Sequence, residues 1–193
     1  VWESSTMEPG LAAAFPNLKT FTGQGVDDKT ATIKMDWTEF GFHAMVYSST
    51  TGNLLIDPYD TRAVTNYVSY YKKDYKKTKT YLELPPLKNL AKNIQAARPN
   101  DALAGPCVGT QVRRYRLAIA CTHEYAQDAT DLASPTKAQT LAKVVASVNR
   151  LNGLYELEFS VRLVLVANDT AILFTTAATD PFTGNNDAGV LID

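Results

Sequence analysis

The segment HEYAQ, from His123 to Gln127, differs by one residue from H-E-x-x-H, in which two imidazoles one helical turn apart hold a zinc ion. Gln127 stands where the second histidine would be. The segment also continues a strand pattern, so we expect His123 and Glu124 to lie in a loop at a strand end. The other histidine, His43, is predicted to be a surface or sheet residue. The sequence therefore predicts neither catalytic residues nor a metal site of its own in this chain.

The two cysteines, Cys107 and Cys121, leave three alternatives open. Cys107 lies in GPCVG, a few residues before the strand predicted from Arg113, where a thiolate could bind a zinc ion in a neighbouring site and block its open position. A disulfide between Cys107 and Cys121 would close a loop worth about 3 kcal/mol on the entropic model. Because Cys121 shares a predicted strand face with Leu117 and Ile119, a buried free thiol is the third alternative.

Three other patterns favour ordinary structure over chemistry. Five tyrosines between residues 67 and 81 are interleaved with lysines, as on some nucleic-acid surfaces, but the balanced total charge favours a tyrosine-rich sheet with a solvated lysine edge. The loop GNNDAG does not match the spacing of a calcium loop. The sequence also lacks a G-x-S-x-G nucleophile elbow.

The composition is that of an ordinary globular protein. The 193 residues include 19 basic and 20 acidic side chains, giving a net charge of −1, and 45% are apolar. These values exclude the basic footprint of a nucleic-acid-binding protein, and no apolar run is long enough to span a bilayer. The chain begins at Val1 without a signal peptide and stops at Asp193 on an apolar stretch, so we expect a piece of a longer protein.

The residue pattern of the first half predicts a small antiparallel sheet. Residues 30–37 show the period-2 alternation of a half-buried strand, and residues 42–48 repeat it. Further strands are predicted at 54–57 and 66–75, with a helical signal only near residues 8–15. Residues 85–106 are broken by prolines and then become small and polar, which predicts a linker with one short helix at Leu87–Ala97.

The second half predicts strand, helix and strand. We expect strands at 113–121 and 157–167, a short third strand at 171–174, and a right-handed crossover between the first two. The helix is predicted over 136–152, with Ser134 as N-cap, Pro135 at its first position and Asn152-Gly153 as its stop. It should pack on the strands through three apolar side chains at helical spacing, namely Leu141, Val145 and Val148.

The predicted fold class is α+β. It comprises a β-rich antiparallel domain over residues 1–84, a linker over 85–109 and a truncated α/β half-domain over 110–193. A sheet cut before its remaining strands exposes an edge, and exposed edges pair with other chains. We therefore expect edge-strand dimers or strand exchange between copies of this chain.

Long stretches of both halves resemble one family. QVRRYRLAIACTHEYAQ, VVASVNRLNGLYELEFSVRLVLVANDTAILF and TDPFTGNNDAGVLID resemble the start of secreted bacterial reprolysin-like metallopeptidases, members of the metzincin group. FPNLKTFTGQGVDDKTATIKMDWTEFGFHAMV, IDPY and NYVSYYKKDY resemble their propeptide. The similarity is weakest over residues 85–106.

The resemblance implies a secreted zinc endopeptidase zymogen, of which this chain is the propeptide and the front of the catalytic domain. The family's zinc motif, H-E-x-x-H-x-x-G-x-x-H, does not occur in these residues. Zinc, peptide or protein substrates and a C-terminal catalytic half are therefore implied for the parent protein, and the chain alone should be inactive. Pro106–Gly109 is similar to the Pro-x-Cys-Gly-Val latency switch, with the glycine displaced by one residue. The alternative is a non-catalytic secreted binding or adhesion module.

Overall fold

The computed structural model describes residues 1–60, 63–76 and 111–182. Its elements combine an antiparallel sheet, a few helices and a small parallel sheet, which confirms the predicted α+β class. In chain order they are β1 (Trp2–Glu3), α1 (Pro9–Ala14), β2 (Lys19–Gln24), β3 (Thr32–Thr38), β4 (Gly41–Tyr47), β5 (Leu54–Asp60), β6 (Ala63–Tyr71), β7 (Arg113–Leu117), α2 (His123–Thr130), α3 (Lys137–Phe159) and β8 (Val161–Leu165), with 3-10 turns at Lys72–Asp74 and Asp169–Ile172.

The first half forms a six-stranded antiparallel sheet in the order β1-β2-β3-β4-β5-β6. The strands predicted near residues 30–37, 42–48 and 54–57 are confirmed, as is the short helix α1, whereas the strand predicted at 66–75 ends at Tyr71 and is followed by the 3-10 turn. Strands β1 and β2 were not predicted. The turn between β3 and β4 places Gly41 at φ 96°, a conformation that favours glycine. The predicted linker and its helix at Leu87–Ala97 lie outside the described residues.

The side of β3 that faces the helices is the polar one. Lys34 and Asp36 are buried, with 4% and 1% exposure, whereas Trp37 is 59% exposed on the opposite side. The alternation of this strand is therefore confirmed, but hydrophobicity does not identify its buried face. Lys34 finds partners in Glu156 of α3 and Thr22 of β2. Asp36 Oδ1 finds one in His43 of β4, whereas Asp36 Oδ2 has no hydrogen-bond partner among the described residues.

The parallel pairing of β7 with β8, joined through α2 and α3, confirms the predicted crossover connection. The predicted boundaries are wrong in several places. Strand β7 ends at Leu117 and not at Cys121, and residues 157–159 belong to α3, so β8 is only Val161–Leu165. The third predicted strand, residues 171–174, is largely a 3-10 turn, with one isolated bridge between Leu173 and Cys121.

Helix α3 is longer than its sequence predicted, and both of its predicted ends are wrong. Its N-cap is Thr136 and not Ser134, because the Thr136 hydroxyl accepts from the Gln139 backbone N–H while the Gln139 side chain accepts from the Thr136 N–H. The helix passes through Asn152-Gly153 and ends at Ser160, which takes a left-handed conformation at φ 54°. Within the described residues, no helix combines the length and the hydrophobicity that a bilayer span requires.

One hydrophobic core joins the two halves of the chain. Leu141, Val145 and Val148 of α3 are buried, as predicted. They pack with side chains from the first half of the chain, namely Met7, Leu11, Leu18 and Phe40. The N-terminal segment also extends the parallel sheet, since the Leu165 N–H donates to Thr6 O and the Glu8 N–H donates to Leu165 O. The predicted domain boundaries at 84 and 110 fall outside the described residues and stay a prediction.

Candidate functional site

Helix α3 is bonded to both sheets through two buried asparagines. Asn149 Nδ2 donates to the Met35 carbonyl of β3 over 2.8 Å. Asn152 binds both backbone groups of Leu163 in β8, donating to its carbonyl over 2.8 Å and accepting from its N–H over 2.7 Å. These contacts fix the position of the helix relative to strands from both halves of the chain, because buried backbone groups must find partners.

Glu156 forms a charge cluster across the same interface. Its carboxylate accepts from Lys34 Nζ of β3 over 2.8 Å and from Arg162 Nε of β8 over 2.6 Å. Lys34 Nζ also donates to the Thr22 hydroxyl. Burial alone would raise the pKa of Glu156, but the hydrogen bonds from Arg162 and Lys34 outweigh it and hold that pKa below its usual value. Burial lowers the pKa of Lys34 in spite of its pairing with Glu156.

A cleft of about 340 Å³ lies between β4, β5, α2 and α3, and its polar lining residues are His43, Asp57, Tyr125, Lys143, Ser147 and Arg150. Lys143 Nζ lies 3.9 Å from the centroid of the Phe40 ring, and burial lowers its pKa. Arg150 is bonded to Asp57. The Ser147 hydroxyl donates to the Lys143 carbonyl within the helix, so it is not set against a general base. Both cationic groups of the cleft are thus already engaged, and its described lining holds no activated nucleophile.

His43 lies in β4, which confirms its predicted place in a sheet, but it is buried and not on the surface. Its Nδ1 atom lies 2.9 Å from Asp36 Oδ1 on the neighbouring strand. A carboxylate partner of this kind satisfies a buried imidazole. His43 is not among the residues that cluster around His123, so the two histidines do not form a shared metal site within the described residues.

The prediction that His123 and Glu124 lie in a strand-end loop is wrong, because they form the first turn of α2. Thr122 is the N-cap of that helix, and its hydroxyl accepts from the Tyr125 N–H over 3.3 Å. A threonine cap followed by an acid in the first turn is a readable helix-start signal. Gln127 still replaces the second histidine, so α2 does not carry a paired-imidazole motif.

Three potential metal ligands meet at the start of α2. His123 Nδ1 lies 3.0 Å from Asp180 Oδ2 and 3.2 Å from Glu124 Oε2. One ligand atom from each of the three side chains lies within 4.8 Å of the others. Asp180 also accepts from the His123 and Phe182 N–H groups, and these bonds outweigh the effect of burial and keep its pKa below the usual value. No local pattern pointed to Asp180, because it lies 57 residues from His123.

Of the two cysteines singled out in the sequence, only Cys121 lies in the described residues. It is 6% exposed, and its backbone is bonded to Ile172 and Phe174. Burial raises the pKa of its thiol. Cys107 lies outside the described residues, so the latency ligand and the disulfide both stay predictions.

The environment of Cys121 predicts low thiol reactivity. In a Cys107→Ser variant, we expect iodoacetamide to alkylate Cys121 about tenfold or more slowly in the folded protein than in urea, because a buried thiol with a raised pKa presents little thiolate. Mass spectrometry of timed samples measures both rates. Equal rates in the two states would show that the Cys121 thiol is accessible in the folded protein.

Comparison with known proteins finds a match to one family model, over less than half of the chain. The family model described as "Metallo-peptidase family M12B Reprolysin-like" matches residues 111–192. The matched segment contains β7, α2, α3 and β8, together with the His123 cluster. No curated protein and no solved structure matches this chain.

Proposed function

We propose, from the match of residues 111–192 to the reprolysin-like M12B family model, that the chain is the propeptide and front part of a secreted zinc endopeptidase zymogen. The family match is the observation that carries the proposal. The parent protein would hydrolyse peptide bonds with a zinc-activated water. Its other partners would be peptide or protein substrates and a C-terminal catalytic half.

The contacts of the antiparallel sheet support a propeptide role for the first half. This sheet precedes the matched segment in the chain and covers the matched helix α3. The contacts include the Asn149–Met35 hydrogen bond and the Glu156–Lys34 ion pair, and a backbone bridge also joins Met7 to Leu165. A segment that precedes the peptidase-like segment in the chain and packs against it has the arrangement expected of a propeptide.

The catalytic zinc of the proposed peptidase does not fit the histidines of this chain. His43 and His123 are its only histidines, and His43 is bonded to Asp36 inside the sheet. His123 faces two carboxylates at the start of α2, where Gln127 occupies the i+4 position. We therefore assign no catalytic step to a side chain of this chain.

The first test is an activity measurement. We expect the purified 193-residue chain, supplied with zinc, to cleave fluorogenic peptides and casein no faster than buffer does. A matched sample with EDTA controls for metal-dependent contamination. Zinc-dependent proteolysis by these residues alone would contradict the proposed inactivity. Reading the gene beyond Asp193 gives a second test, since the proposal requires H-E-x-x-H there.

An exposed aromatic row favours the second candidate, a secreted binding or adhesion module. Trp37, Phe42 and Tyr67 lie side by side on the outer face of the sheet, with ring centroids 6.1 and 6.4 Å apart. Trp37 is 59% and Tyr67 42% exposed. Aromatic side chains of this kind are enriched at interaction surfaces. This candidate is retained only if the gene encodes no zinc motif after residue 193.

A further inference from the structure

We propose that His123, Glu124 and Asp180 form a binding site for a divalent ion of the zinc class, separate from the catalytic zinc of the proposed peptidase. One ligand atom from each side chain lies within 4.8 Å of the others. The site lies at the junction of α2 with the segment that follows β8. A bound ion would therefore tie residue 180 to the first turn of α2.

The spacing of the ligand atoms suits tetrahedral zinc. Zinc bonds to nitrogen and oxygen are about 2.0–2.2 Å long, so neighbouring ligands of a tetrahedral ion are about 3.3–3.6 Å apart. His123 Nδ1 lies 3.0 Å from Asp180 Oδ2 and 3.2 Å from Glu124 Oε2. Opening each of these two gaps by a few tenths of an ångström would bring them to the zinc spacing, and the third pair, Glu124 and Asp180, lies within 4.8 Å.

Asp180 is already oriented for such a role. Its side chain is 2% exposed. The His123 N–H donates to its Oδ2 over 2.7 Å and the Phe182 N–H donates to its Oδ1 over 2.9 Å. Each carboxylate oxygen keeps a second lone pair, so these bonds hold the ligand without using up its capacity. Outer contacts of this kind raise metal affinity by fixing ligand geometry.

Access and charge also favour an ion. The Glu124 side chain is 49% exposed, so the ion can enter from solvent and take water as its fourth ligand. The N-terminus of α2 carries about half a positive charge, but the two carboxylates supply two negative charges. The imidazole must present a lone pair at Nδ1, so any proton held there leaves for solvent when the ion binds.

The donor set decides the class of ion. Calcium and magnesium prefer oxygen ligands alone, whereas one imidazole with two carboxylates suits zinc and neighbouring transition metals. The site uses no residue beyond the described chain and requires no peptidase activity. A failure of zinc to bind at this site would therefore leave the proposed peptidase function untouched, and the reverse is also true.

Zinc titration of the untagged chain tests the proposal. A Cys107→Ser background removes a thiol that could bind zinc elsewhere. We expect isothermal titration to show one equivalent of zinc, and calcium in excess not to compete. The His123→Ala and Asp180→Asn variants should each weaken zinc binding by about tenfold or more. His43→Gln is the matched control, and it should leave the affinity unchanged.

Two further measurements guard against misfolding and against a different ligand set. Glu124→Gln removes one ligand but keeps both backbone bonds to Asp180, so it should weaken zinc binding while the circular dichroism spectrum stays unchanged. Cobalt(II) in place of zinc should show visible d–d bands without a thiolate charge-transfer band. Non-saturable binding, zinc affinity that is unchanged in Glu124→Gln and His123→Ala, or equal weakening by His43→Gln would each overturn the proposal.

Discussion

Replacing Glu156 by glutamine is expected to lower the free energy of unfolding by about 3–5 kcal/mol. The substitution leaves the ammonium group of Lys34 buried without its carboxylate partner, at 4% side-chain exposure. It also removes the negative charge that faces Arg162, 2.6 Å from Glu156, and leaves a single oxygen to accept from both cations. Burying an unpaired charge costs more free energy than the intact ion pair contributes to stability. Most of the loss should therefore come from Lys34. Urea unfolding followed by circular dichroism measures the change.

Two variants test this explanation of the Glu156 effect. Glu158→Gln, at an exposed position on the same helix, should change stability by less than about 0.5 kcal/mol. Adding Lys34→Met to Glu156→Gln should recover part of the loss, because it removes the stranded ammonium group. If the double variant is no more stable than Glu156→Gln, the loss does not come from burial of an unpaired lysine.

The same cluster predicts a pH dependence. The hydrogen bonds from Arg162 and Lys34 hold the pKa of Glu156 below its usual 4.5 in the folded protein. A depressed carboxyl pKa stabilises the fold above the unfolded pKa, and this contribution is lost as pH falls through the folded value. The stability gap between the native chain and Glu156→Gln should therefore be constant near neutral pH and narrow below about pH 4.5. A gap that stays constant down to pH 3 would contradict the ion-pair assignment.

Substituting alanine for Gly153 is expected to destabilise the protein, although the same change in an ordinary helix interior stabilises it by about 1 kcal/mol. A Cβ atom at Gly153 would overlap three atoms of the Tyr47 side chain, including its hydroxyl oxygen. The Tyr47 ring is 4% exposed, and its hydroxyl donates to the Arg150 carbonyl. The rigid ring cannot move without losing this bond, so overpacking by about 1–3 kcal/mol outweighs the gain in helix propensity.

A double-mutant cycle isolates the contact between Gly153 and Tyr47. In a Tyr47→Ala background the clash is gone, so Gly153→Ala should become stabilising by up to about 1 kcal/mol. The measurement is the same urea unfolding curve for all four proteins. Gly153→Ala that stabilises the native background, or that has the same effect in both backgrounds, would show that Tyr47 does not pack into this position.

The local signals at Asn152-Gly153 could not predict what these residues do. An Asn-Gly pair after a helical pattern is a sound stop signal, yet Asn152 binds the backbone of Leu163 and Gly153 accommodates Tyr47 from the first half of the chain. Both reasons come from tertiary contacts. The start of the helix differs, because Thr136-x-x-Gln139 is a capping-box sequence that was present and could have been preferred to Ser134-Pro135.

The period of β3 was predictable, but its orientation was not. Alternation shows that successive side chains point to opposite faces, and it does not show which face meets a helix. Lys34 can be buried because Glu156 neutralises it, and Glu156 lies 122 residues later in the chain, where no local pattern reveals the pairing. The His123 cluster has the same origin, since Asp180 is distant in sequence. The sequence predicted most of the strands and the long helix but not β1, β2 or α2, and the charge pairing that positions these elements depends on contacts between distant segments.

The backbone bridge between residues 6–8 and β8 determines whether proteolysis of the chain between residues 76 and 111 would separate the two halves. Thr6 and Glu8 hydrogen-bond to Leu165, and Met7 and Leu11 sit in the core beneath them. A protease that nicks the backbone between residues 76 and 111 severs none of these contacts. The two pieces would remain together as a noncovalent complex, and their separation would become a dissociation step whose rate is set by opening of the shared core. Removal of the N-terminal piece then requires its further degradation, or conditions such as acid that weaken the Glu156 cluster.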